Sequence, residues 1–125
     1  TEHDLDHHVP KSIGGPGIFP ENIVPLQSGL NRYKSNRIPI SFARIANTYK
    51  FNQIDKDALN NWDSTTKSKN DMKFKNQKQR SISIINEVRK WSVEKQRKFY
   101  FEILKVEYPG IDFYKMYNKA GIPLP

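Results

Sequence analysis

Three features of the 125-residue chain predict an all-α fold: about five helices in one compact domain, with an extended Pro/Gly-rich N-terminal arm. From Arg37 onward, apolar side chains recur at spacings of three and four rather than two. Capping residues stand where those periodic stretches begin. No strand pattern longer than a few residues is visible, and no internal repeat. With 36% hydrophobic and 12% aromatic residues, the chain can bury one small aromatic-rich core.

Residues 1–31 read as an irregular arm, because four prolines (Pro10, Pro16, Pro20, Pro25) and four glycines (Gly14, Gly15, Gly17, Gly29) leave no room for a regular element. Ile13, Ile18, Phe19, Ile23, Val24 and Leu26 are too apolar for an idle linker, so Ile13 to Leu30 is expected to lie over the helical body. The first dozen residues are expected to be loose. Residues 32–125 form the helical domain. Phe42, Ile45 and Tyr49 mark the first helix, with Ser41 as N-cap or Pro39 in its early turn. Asp55 caps a short second helix that closes at Trp62. Ser68 and Asp71 form a capping box for a long third helix, running to about Lys90. On it, Phe74, Ser81, Ile84, Ile85, Val88 and Trp91 share one stripe about 120° wide, the width of a core-facing seam. Ser92 caps a fourth helix that reaches Tyr108 with a broad apolar face, and Pro109-Gly110 ends it. Asp112 opens a last short helix in which Phe113, Met116, Tyr117 and Ala120 pack inward and Gly121 is the stop.

The formal charge of +8 is unevenly spread. Residues 1–31 hold one Lys against four acidic residues, whereas Asn61 to Lys98 holds eleven Lys/Arg against four acidic residues. A basic stretch of that density implies a polyanionic partner, most often nucleic acid. Several classes are excluded or disfavoured. No apolar run approaches the length of a membrane span, and no signal-peptide pattern is present, so no membrane partner is expected. Cysteine is absent, which removes disulfides and thiolate metal sites and suits a nuclear or cytoplasmic protein. The chain begins with Thr, and we expect it to be a piece of a larger protein.

The third helix carries the chemistry. Its apolar half anchors it, and its front half is basic and amide-rich, the layout of a helix that presents N-terminal side chains to a DNA groove. Lys69, Lys73, Lys75, Lys78 and Arg80 attract phosphates. Asn76, Gln77 and Gln79 offer the donor–acceptor pair that matches adenine, and Arg80 can read guanine. Lys95 and Arg97 on the fourth helix, with Lys98, can serve as phosphate clamps, and Arg37 can contact backbone. Asp4, Asp6, His7 and His8 suggest a metal, but a loose arm gives no fixed ligand geometry, so no metal or other cofactor is expected. With no Gly-rich phosphate loop, no nucleophile elbow and every His in the arm, the chain is not expected to be an enzyme. Trp62 and Trp91 are expected in the core.

The order "YKSNRIPISFARIANTY", a short helix ending at Trp62, then "MKFKNQKQRSISIINEV" resembles the DNA-binding domain of fungal glycolytic-gene transcriptional activators, a module found also in osmostress regulators and a centromere-binding protein. The likeness covers roughly Arg32 to Trp91, with Asp63 standing where the family pattern has Arg. It implies a nuclear, sequence-specific binder of double-stranded DNA, acting in transcription regulation or at centromeres, with Lys69 to Arg80 nearest the duplex. Other subunits of a larger complex are possible partners. The alternative is a protein-interaction or dimerisation module whose basic helix meets an acidic protein. Its mark would be apolar arm residues left exposed rather than covering the body.

Overall fold

The computed structural model describes residues 3–27, 38–51 and 72–125. Among them are a two-stranded antiparallel sheet, β1 (His3–His7) with β2 (Ile23–Gln27), and four helices: α1 (Ile40–Ala46), α2 (Met72–Val88), α3 (Val93–Glu107) and α4 (Phe113–Ala120). The fold is mainly helical, as the periodicity predicts. The expected helix from Asp55 to Trp62 lies outside the described residues, as do Ser68 and Asp71.

The arm differs from expectation. Its first residues are not loose but form β1, which pairs with β2 from His3↔Gln27 to His7↔Ile23. The His8 N–H donates to Asn22 O at 2.9 Å, which extends the ladder. Alternation from that bond puts Pro25 opposite Leu5 at a position that makes no bond to β1, so its missing N–H faces the edge of β2 away from β1. The connection folds through two 3-10 turns, Lys11–Ile13 and Pro20–Asn22. Buried Asn22 holds it together: its Oδ1 accepts from Val9 N at 2.7 Å, and its Nδ2 donates to Val9 O and Pro16 O. Gly15 admits no side chain, since a Cβ there would sit 1.9 Å from Val9 O.

Two apolar clusters share α3. The larger joins Val9 and Ile13 of the arm to Ile38, Phe42, Ile45 and Ala46, to Ile84, Ile85 and Val88 of α2, and to Phe99, Tyr100 and Ile103. The smaller gathers Val24, Phe101, Leu104, Phe113 and Tyr117. Of the expected α2 stripe, Ser81, Ile84, Ile85 and Val88 are buried and Trp91 is half-buried, with the Ser81 hydroxyl satisfied by donating to Gln77 O at 2.8 Å. Ser92 and Asp112 cap α3 and α4 through bonds from Lys95 N and Lys115 N, and Gly121 closes α4 in the left-handed region.

Two local expectations are corrected. Pro39, not Ser41, is the cap residue of α1; Ser41 is buried and shares a 2.8 Å hydrogen bond with His8 Nε2. On α4 only Phe113 and Tyr117 are buried, while Met116 and Ala120 face outward.

A buried carboxylate locks the arm to the helices. Glu21, 1% exposed, receives two bonds from Arg97 (Nε to Oε1 2.8 Å, Nη2 to Oε2 2.9 Å) and one from Tyr117 Oη at 2.6 Å. Bidentate pairing plus a third donor satisfies a charge that would otherwise be costly to bury. Burial and this carboxylate push the Tyr117 phenol well above its usual range, and the hydrogen bond to Glu21 raises the Arg97 guanidinium further.

Candidate nucleic-acid interface

The geometry of α2 separates the predicted contact residues. Its buried face runs through Gln77, Ser81, Ile84, Ile85 and Val88. Asn76, Gln79 and Asn86 are exposed and lie together on the opposite side at helical spacing. Lys78 is exposed on one flank, and Arg80 is half-buried on the other. The outward surface is thus an amide row between cationic flanks. Lys73 and Lys75 belong to the first turns of this helix. Lys69 and Arg37 lie outside the described residues.

Two predicted contacts are corrected. Gln77 is 5% exposed and sits at the edge of the core, at the i and i+4 position relative to Ser81, so its amide cannot reach a base edge. Arg97 is bound to Glu21 and also donates to Pro123 O, so it is a structural cation rather than a phosphate clamp. Lys95 remains exposed, with its Nζ 4.2 Å over the Trp91 ring.

The structure adds cations that the sequence reading did not single out. Lys50, Arg89 and Lys90 are exposed, as is Lys98. Among the described residues, none of Lys50, Lys78, Arg80, Arg89, Lys90, Lys95 and Lys98 pairs with a carboxylate, whereas Arg97 does. The available signal was a Lys beside an aromatic residue, in Tyr49-Lys50-Phe51 and Lys90-Trp91. These rings belong to a cluster in which Tyr49 donates to Glu102 Oε2 at 2.9 Å. Burial first, then that bond and the Glu102 charge, push the Tyr49 phenol up to about 12.

Elsewhere, an open apolar groove of about 140 Å³ runs between α3, α4 and β2, lined by Val24, Leu104, Tyr108, Ile111, Phe113 and Met116. The His8–Ser41 pair is buried: both residues are 2% exposed, and Glu107 Oε2 lies 4.0 Å from the same ring nitrogen that meets the serine. No helix of the described residues is long and apolar enough to cross a membrane.

Compared with known protein families, curated proteins and solved structures, the chain matches none.

Proposed function

We propose that this chain is a DNA-binding domain of a nuclear protein, regulating transcription or acting at centromeres, and that it is not an enzyme. The observation that carries the reading is the sorting of charge. The one cation of residues 72–98 that pairs with a carboxylate among the described residues is consumed by the fold, and the exposed ones cluster along α2 and the turn into α3. Lys73, Lys75, Lys78 and Arg80 engage phosphates, Asn76 and Gln79 touch base edges, and Lys95 adds a backbone contact. The resemblance of Arg32 to Trp91 to fungal activator domains supports the same assignment.

Fluorescence anisotropy with a duplex of about 20 base pairs tests it. Neutralising about six phosphates gives a log–log salt slope near −5. Changing Lys73, Lys75, Lys78 and Arg80 together to Glu lowers duplex affinity at low salt by at least about tenfold, in a variant whose fold is verified by circular dichroism. Absence of binding at low salt defeats the proposal. It would favour the protein-interaction reading, for which the apolar groove and Ile18, 85% exposed, are the supporting observations.

A further inference from the structure

Beside the turn that joins α2 to α3, four aromatic rings form a closed set. Every pair among Tyr49, Phe51, Trp91 and Phe99 has ring centroids between 5.3 and 6.4 Å apart. Phe99 is fully buried and is the floor; the other three are half-buried. Phe51 is stacked against Trp91, with centroids 5.9 Å apart and planes 16° from parallel, which fixes the orientation of the indole. Each part is held in place. The Tyr49 hydroxyl donates to Glu102, the Trp91 backbone N–H donates to Val88 O at 3.0 Å, and the Trp91 backbone carbonyl accepts from Gln96 Nε2 at 2.9 Å.

The surroundings are cationic. Lys50, Lys90, Lys95 and Lys98 are exposed on the residues that alternate with or adjoin these rings. Lys95 already occupies the position that a flat cation-friendly ligand would contest, its ammonium 4.2 Å over the indole. A lysine held there by a flexible stem at an exposed site is only weakly attached to the ring, so a base plane can displace it. Rigid aromatic planes bordered by flexible cations are the two elements that single-stranded nucleic-acid sites combine: the rings stack on bases, and the cations follow the phosphates.

We propose that the Trp91 indole, on the face over which Lys95 sits, is a stacking site for an unpaired nucleobase of single-stranded nucleic acid. The base takes the indole face, and the Lys95 ammonium swings from the ring to a neighbouring phosphate, with Lys50, Lys90 and Lys98 tracking the backbone. This site is separate from the outward face of α2 and does not rest on duplex binding. The stacking chemistry does not select the sugar, so DNA and RNA strands are both candidates.

The test compares a labelled oligothymidylate of about 12 nucleotides with an abasic strand of equal length, which keeps the phosphates and removes the bases. The intact chain is expected to bind the base-bearing strand at least about fivefold more tightly, and Trp91→Phe to shrink that ratio. An oligouridylate arm reports whether ribose is accepted. Because Trp91→Phe can perturb the fold, nuclear Overhauser contacts between thymine protons and the Trp91 indole are measured in the unchanged protein, where they are expected. Reversing the α2 charges leaves the base-to-abasic ratio unaltered, so this inference and the duplex reading fail separately. Equal affinity for the abasic strand, or a bound strand with no contact to the Trp91 indole, overturns the proposal.

Discussion

The two aromatic clusters that α3 supports differ in what surrounds them. Near its N-terminal end, Tyr49, Phe51, Trp91 and Phe99 stand among exposed cations. On another face of the same helix, only two residues beyond Phe99, Phe101 stands with Phe113, Tyr114 and Tyr117 beside a neutral mixture. Each cluster even has a lysine over a ring, Lys95 on Trp91 and Lys105 on Phe101. The second cluster, however, is coupled to the buried Glu21, and residues 99–125 carry as many acidic as basic side chains. The two clusters are alike in aromatic content; what differs is the charge beside them.

The largest expected effect comes from removing the floor of the first cluster. Phe99→Ala costs about 3–5 kcal/mol in urea unfolding, since it empties a fully buried ring site shared by α1, α2 and α3. A smaller loss would show that the rings close over the gap. Glu21→Ala probes the other cluster, which Tyr117 joins to this carboxylate. It strands a partly buried guanidinium and a phenol, for a loss of about 2–4 kcal/mol, discounted because Arg97 keeps some solvent contact. Glu21→Gln, which retains an acceptor for Tyr117, recovers part of it. Gly15→Ala, which drives a Cβ into Val9 O, costs about 2 kcal/mol and lowers amide-exchange protection in the arm before the helices.

The pH effect is smaller. Tyr49 ionises near pH 10 in the unfolded chain and at about 12 in the folded one, so between those values the folded state holds the extra proton. Its contribution is complete below pH 10 and fades as pH rises toward about 12. Ultraviolet titration of tyrosinate in the intact chain against Tyr49→Phe measures the midpoint directly, and a midpoint near 10 would refute the shift. Lys105→Ala is the smallest change, at most about 1 kcal/mol in stability, and leaves duplex and single-strand affinity alike unaltered.

The helices were legible because their cause is local. Ile84, Ile85 and Val88 repeat with the helical period, and Ser92, Asp112 and Gly121 cap through bonds within a few residues. The arm was not, because its order comes from partners far along the chain. The segment His3–His7 is too polar to announce a strand, and Pro25 reads as a breaker unless its position is known to need no bond to β1. Gln77 belonged to the buried phase by spacing, but its amide made it look like a surface residue. Arg97 was misread because the residue that neutralises it, Glu21, lies 76 positions earlier.

That last separation governs how the molecule is made. When Glu21 leaves the ribosome it has no cation and no phenol to meet, and at about 5–20 residues per second Arg97 follows only after about 4–15 seconds. The hairpin and its carboxylate must wait in water, uncommitted, until α3 and α4 arrive. Locking of the arm thus waits on synthesis through Tyr117, and a nascent chain halted before that residue would hold an arm whose carboxylate still lacks its phenol.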